Sequence, residues 1–296
     1  MRPILKNEFS EPYKPKRVVV IGSNGFIGNN ICKRLGMEGI DILPLSRQDI
    51  DLEDPKASSK ISSLLLPSDV VVAAAAKAPA RNLDDLATNI RILTAICNAC
   101  KTTKIGHLIN ISSDAVYGDE PLPLSETSIV SPGGIHGIMH MTRELVLSEL
   151  QCPFLHVRPT LVYGPGDPHN GYGPNQFLRL ALAGDTIKLF GEGEERRDHI
   201  FIDDVVEIIV LAILHRSFGV INAVTGSVLS FREIASMIVE KTGSSSKIQG
   251  SERLGKMPHN GLRTFDNTAL NVISPKLKVP NFAERVDLFC QQTGSV

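Results

Sequence analysis

The sequence predicts an α/β protein, a Rossmann-type doubly wound parallel sheet with a smaller C-terminal lobe. Three observations carry this. A β-branched run, Val18 to Ile21, ends in the glycine turn Gly22-Ser-Asn-Gly25-Phe-Ile-Gly28 and passes into helical apolar spacing at Phe26, Ile27, Ile31 and Leu35. Strand and helix patterns then alternate for five or six units as far as Gly166. From Asp167 that alternation breaks into a stretch dominated by Gly, Pro and Asn.

The opening strand, turn and helix form a dinucleotide-binding fingerprint. Gly22 permits the tight turn, Gly25 keeps a side chain off the pyrophosphate, and Gly28 lets helix and strand pack closely. Asn24, Phe26 and Ile27 belong to the same segment, whose helix N-terminus offers free N–H groups to phosphates. Ile40 to Leu45 reads as the second strand and delivers Ser46-Arg47. An acid there suits the ribose of NAD, and an arginine suits the 2′-phosphate of NADP, so the pair leans toward NADP. A solvated loop charge is the other reading of Arg47. Asp51-Leu52 are placed to bracket an adenine. Asp69 to Ala76 is a third buried strand ending in small residues that leave room for a cofactor.

A helix follows over Leu83 to Lys101, then a strand over Gly106 to Ser112 that brings Ser112 to Gly118 to the sheet edge. A Pro- and Ser-rich loop leads to a helix over Ile135 to Leu150, and Pro153 to Arg158 is the next strand. Beyond it the sequence predicts a helix over Asn175 to Ala183, strands at Thr186 to Phe190, His199 to Ile202 and Gly219 to Val224, and helices over Asp203 to His215 and Phe231 to Lys241. Residues 1–16 read as a loose arm, 17–166 as the cofactor domain, and 167–296 as mainly a substrate lobe, with 199–224 returning to the first domain.

The 296 residues suffice for one large domain and a smaller one. A net charge of −1 without a basic block argues against nucleic acid as a partner. No apolar run approaches ~18 residues, so no membrane span is expected. The first residues carry no continuous apolar segment of a signal peptide, and the expected location is cytoplasmic. Five cysteines lack a disulfide framework. Cys97 and Cys100 fall inside a helix and read as a reduced pair, with a redox or metal pair as the alternative.

Several motifs in order make the chain resemble the extended short-chain dehydrogenase/reductases, specifically their NAD(P)-dependent nucleotide-sugar epimerases, dehydratases and reductases. The resemblance runs from Arg17 to about Asn271. Besides the glycine turn it rests on Asp51-Leu52, Ala74-Ala75-Ala76-Lys77, Asn89, Ser112-Ser113 with Val116-Tyr117-Gly118, Arg158-Pro159 with Tyr163 to Gly166, and Arg197-Asp198 to Val205. It implies cofactor contacts from Ser46, Arg47, Lys77, Asn89, His140 and Pro159 in addition to the turn. It implies that Ser113 bonds the sugar oxygen at the reacting carbon. Asn175 and Phe177 would lie beside the substrate's nucleotide, and Arg197 and Arg263 would face its diphosphate, a task suited to a forked guanidinium. It also implies a homodimer formed through the helix at Ile135–Leu150.

The pattern departs from the family at its catalytic helix. The family carries Tyr-x-x-x-Lys. Aligning Glu144 with the family glutamate puts His136 at the tyrosine and His140 at the lysine. Three readings compete, beside that of structural histidines with the chemistry elsewhere. Imidazole, with an ordinary pKa of about 6.5, can serve as acid/base without a cationic helper, so His136 moves the proton and His140 orients it. Alternatively the site binds cofactor and nucleotide sugar without redox turnover, as a sensor or pseudoenzyme. Alternatively His136, His140 and Glu144, four apart on one helical face, ligate a metal. Asp114 stands where a 4,6-dehydratase has its acid and could donate a proton. Ala115 replaces the partner glutamate and argues against that reaction.

Overall fold

The computed structural model describes residues 5–119, 121–168 and 170–293. In chain order the first half runs β1 Arg17–Ile21, α1 Phe26–Met37, β2 Asp41–Leu45, α2 Ala57–Leu64, β3 Val70–Ala73, α3 Leu83–Thr103 and β4 His107–Ile111. A 3-10 turn at Asp114–Val116 precedes α4 Ile135–Leu147 and β5 Phe154–Pro159. The second half contains β6 Leu161–Tyr163, α5 Pro174–Ala183, β7 Ile187–Phe190, β8 Arg196–Arg197, β9 His199–Phe201, α6 Ile202–Leu214 and β10 Gly219–Ala223. It closes with β11 Leu229–Ser230, α7 Phe231–Thr242, β12 Ile248–Ser251, β13 Leu262–Arg263, α8 Leu270–Ile273 and α9 Phe282–Thr293.

Six strands form one parallel sheet in the order β10-β5-β4-β3-β1-β2. The order reverses between β1 and β3, which opens a crevice at their carboxyl ends. Period-two alternation divides β1 between two cores. Val18 and Val20 face Ile31 and Leu35 of α1 and the apolar face of α6. Val19 and Ile21 face Ile61 of α2, Ile92 and Ile96 of α3, and Leu147 of α4. Cys97 and Cys100 join the second core as free thiols, and burial pushes the Cys100 thiol up to about 12.

The remaining strands are short. β7 pairs with β12, β6 with β9, and β8 lies between β11 and β13. The β13–β8 register sets Arg263 opposite Arg197. β10 returns to the edge of the large sheet beside β5. Among the described residues no helix is long and apolar enough to cross a membrane.

Two expectations change. The N-terminal arm is not loose over the part described. Leu5 is buried, Lys6 and Phe218 exchange backbone hydrogen bonds, and the Phe9 and Tyr13 amides bond the His215 and Leu214 carbonyls. Backbone pairing and one apolar anchor suffice, and neither leaves a periodic signal. The strand expected over Asp69 to Ala76 ends at Ala73. The Ala74 amide still bonds the Ile21 carbonyl at 2.9 Å, after which the chain leaves the ladder to form the crevice wall.

Candidate active site

The crevice holds a cavity of about 490 Å³ lined by Gly22, Asn24, Gly25, Ser46, Arg47, Asp51, Leu52 and Ala74 to Lys77. Its shape depends on the glycine turn. Gly22 has φ +96°, and a Cβ there would lie 2.6 Å from the Ala75 nitrogen. A Cβ on Gly28 would lie 2.2 Å from the Gly22 carbonyl oxygen. The α1 N-terminus has no side-chain cap, which leaves its amides for an anion. Phe26 and Ile27 pack against the core beside the cavity. Asn89 stands behind the wall: it accepts from the Lys77 amide and donates to the Lys77 carbonyl, both at 2.9 Å.

The β2 corner is closed by a residue that carries no sequence motif, Asp49. Asp49 accepts from the Ser46 amide at 2.8 Å and the Ser46 hydroxyl at 2.6 Å. The acid at this corner thus closes its own turn, while Arg47 is exposed on the cavity wall with no ion pair among the described residues. Ile50, Glu53, Thr88 and Ile92 also line the cavity. They come from a loop and from α3, where apolar spacing alone reads as core.

Ser113 caps the 3-10 turn that follows β4, accepting from the Ala115 amide at 3.1 Å. The start of α4 packs directly on this turn because residue 137 is glycine; a Cβ there would lie 2.1 Å from the Ala115 carbonyl oxygen. That approach brings His136, one residue earlier, within electrostatic reach of Asp114. His136 is partly exposed, its Nδ1 accepts from the Ala80 amide at 3.4 Å, and its ring meets His140 edge-on at 4.7 Å. Burial lowers the His136 pKa, and Asp114 opposes this without overcoming it. Burial holds His140 much further down, with repulsion from His136 and Arg143 added; its Nδ1 has no partner among the described residues. Both imidazoles are neutral at neutral pH.

The three-ligand constellation is not assembled. Glu144 turns away from the histidines and takes Arg158 (Nε at 2.7 Å, Nη2 at 2.5 Å) and the Ser112 hydroxyl at 2.6 Å. Among the described residues no group of three His, Cys, Asp or Glu is placed to hold a metal ion. No tyrosine substitutes at the helix either. The Tyr117 hydroxyl is committed to Asn222 and Arg158, and Tyr163 is buried among Phe201, Phe282 and Phe289.

The residues expected around a substrate are brought together unevenly. Arg263 is wholly buried: its Nε donates to Asp114 at 2.8 Å and its Nη2 to the Asp114 carbonyl at 2.6 Å. Arg197 lies between Glu195 and Asp114 at 3.3 and 3.8 Å. Both guanidiniums already have carboxylate partners, because the β13–β8 pairing aims them at the Ser113 turn. Asp114 is correspondingly the shared ion-pair acceptor of the two guanidiniums. Asn175 spends both ends of its amide on Gly164, accepting at 3.1 Å and donating at 2.7 Å. Phe177 is wholly buried in the lobe core and presents no surface to a ligand. Pro159 is buried at the end of β5.

A model of the epimerase family, described as the NAD dependent epimerase/dehydratase family, matches residues 18–224. The chain belongs to this family. Its similarity to the UDP-glucose 4-epimerase of Mycolicibacterium smegmatis is 30% identity over 288 residues, covering 85% of this chain and 90% of that protein. A dTDP-4-dehydro-6-deoxy-D-allose reductase from Streptomyces bikiniensis is 24% identical over 282 residues, covering 79% and 83%. Among solved structures, the Thermus thermophilus UDP-glucose 4-epimerase complex with NAD superposes with a TM-score of 0.81 at 23% identity, covering 95% of this chain and 99% of that one. The Thermotoga maritima UDP-glucose 4-epimerase with UDP-glucose gives 0.81 at 23% identity, covering 94% and 99%. These two likenesses establish that this epimerase/dehydratase family member shares their Rossmann-type fold.

Proposed function

We propose that the protein is an NAD(P)-dependent nucleotide-sugar epimerase or ketoreductase in which His136 moves the proton. The observation that carries this is the placement of a neutral, partly exposed imidazole beside the Ser113 turn, at the helix position where the family holds its acid/base. The relatives support the substrate class, since they are named for UDP- and dTDP-sugars. The cavity and glycine turn fit the adenosine and diphosphate of a dinucleotide. When bound, NAD(P) supplies the hydride acceptor or donor for a sugar carbon.

The chain's own residues then have definable tasks. Ser113 presents a hydroxyl at the end of β4 to hydrogen-bond the sugar oxygen. His136 Nδ1 accepts from Ala80, which leaves Nε2 as a donor in the neutral ring. In that tautomer the ring polarises a carbonyl oxygen. Taking a hydroxyl proton requires the other tautomer, which sets the Nδ1 proton against the Ala80 amide and costs about 1–3 kcal/mol for the unsatisfied donor. His140, buried behind it, fixes the ring by edge-on packing.

Incubation of purified protein with NAD or NADP and a panel of UDP-, GDP- and dTDP-sugars tests the reading. Conversion to an epimer or a reduced sugar is expected. Binding without turnover by wild type or His136→Tyr would establish the sensor or pseudoenzyme reading, which the Arg263–Asp114 pairing favours by occupying a cation expected to face the substrate.

Two finer assignments belong to the same proposal. Arg47, on the cavity wall without an ion pair among the described residues, favours NADP. Arg47→Ala is expected to weaken NADP binding about tenfold, the value of a charge-assisted hydrogen bond, with NAD little changed in a fluorescence titration. A homodimer would use adjacent faces of α3 and α4, where Ile90, Ile138 and Leu145 are exposed. Sedimentation of Leu145→Glu should then report monomer; a monomeric wild type removes the assignment.

A further inference from the structure

We propose that Arg143 is the buried counter-charge for the diphosphate of the dinucleotide, a positioning residue that acts through the carboxyl end of β3. The inference rests on the cofactor reading above. Arg143 lies on α4, one turn beyond His140, and is 1% exposed. Its Nη1 donates to the Ala75 carbonyl at 3.0 Å; its Nη2 donates to the Ala73 carbonyl at 3.0 Å and to Asn110 Oδ1 at 3.1 Å. Its Nε has no partner among the described residues. All three acceptors are neutral, and no carboxylate lies within ion-pair distance among the described residues. The adjacent Glu144 is taken by Arg158.

A buried cation without an anion is the costly arrangement, and an anion bound from outside would relieve that cost. Burial pushes this guanidinium only down to about 10, so it is charged at neutral pH. Ala75 shows where the anion would come. Its carbonyl meets Arg143, while its nitrogen lies against Gly22 and its side lines the cavity. One peptide therefore separates the guanidinium from the glycine turn and the uncapped N-terminus of α1. A diphosphate at that turn would be bracketed by the helix amides on one side and a buried cation on the other. In an interior of low polarisability the attraction reaches across that peptide.

ADP-ribose, which carries the diphosphate and no nicotinamide, is the probe, with NAD and NADH titrated beside it by calorimetry. Arg143→Met removes the charge. Asn110→Asp supplies the guanidinium with an internal carboxylate and gives up the bond that Asn110 Nδ2 donates to His156 Nδ1 at 3.2 Å. Both are expected to bind ADP-ribose about 10- to 100-fold more weakly. Arg143→Lys, which retains the charge, should recover most of the affinity.

Wild-type affinity for ADP-ribose in folded Asn110→Asp overturns the inference, as does a loss confined to the NAD/NADH ratio, which would move the charge to the nicotinamide. If Arg143→Met does not fold, Asn110→Asp and Arg143→Lys decide alone. Wild-type protein that binds none of the three ligands defeats the cofactor reading itself, an outcome separate from any difference between variants.

Discussion

Replacing His136 by phenylalanine is expected to lower kcat by roughly 10²- to 10⁴-fold while dinucleotide binding is preserved, because general acid–base transfer accounts for a factor of that size. Phenylalanine retains the ring against His140 and removes both nitrogens. The pH profile carries a second signature. Burial lowers the His136 pKa from 6.5, so the ring is a competent base throughout the neutral range. Activity should be flat above pH 7 and fall only as the pH drops through that lowered value. His136→Tyr places a phenol of ordinary pKa about 10 at the same position without a lysine to acidify it. Its rate should rise with pH well above 8. Unchanged kcat in His136→Phe would remove His136 from the chemistry.

Breaking the Glu144–Arg158 pair is expected to cost about 3–5 kcal/mol, the penalty for leaving one buried charge without its partner. Against a total stability of about 5–15 kcal/mol that is a large share. It should appear as a fall in Tm of roughly 5–8 °C in Arg158→Met. The geometry explains the size. Arg158 is wholly buried, forks onto Glu144, donates to the Tyr117 hydroxyl at 2.7 Å and lies over the Tyr117 ring at 4.8 Å. Tyr117 continues to Asn222 on β10, so the pair joins α4, β5, the segment after β4 and the returning strand.

Burial pushes the Glu144 carboxyl up, but Arg158 and the Ser112 hydroxyl outweigh it, and the group is held below the ordinary 4.5. Its contribution is therefore present above pH ~4.5 and lost as the pH falls through the lowered value. The double variant Glu144→Gln/Arg158→Met should cost less than the sum of the single ones, because neither charge is then stranded. Additive losses in urea unfolding would mean that the two groups do not act as a pair.

These effects separate two kinds of information in the chain. The parallel sheet is legible from local sequence, because β-branched runs ending in glycine or small residues can satisfy two buried faces only between helices. The glycine turn is legible for the same reason: its spacing is imposed by backbone contacts within a few residues, such as Gly28 against Gly22. The histidines of α4 can be found by spacing, and the tertiary structure shows what they meet. His136 finds the Ala80 amide 56 residues away, and His140 is sealed from solvent.

Other residues meet partners that lie far along the chain. Arg263 looks free in sequence, but Asp114, 149 residues earlier, claims it. Phe177 follows a substrate motif, yet aromatic packing in the lobe buries it. Asp49 and Arg143 carry no motif, and each acquires its role only when a turn or strand end closes around it. By itself the sequence determined the sheet, the glycine cradle and the family pattern, since periodicity and steric spacing act over short range. Only the tertiary structure decided which charges are paired, because a carboxylate's partner is set by distance in space, and here that distance spans the two halves of the chain.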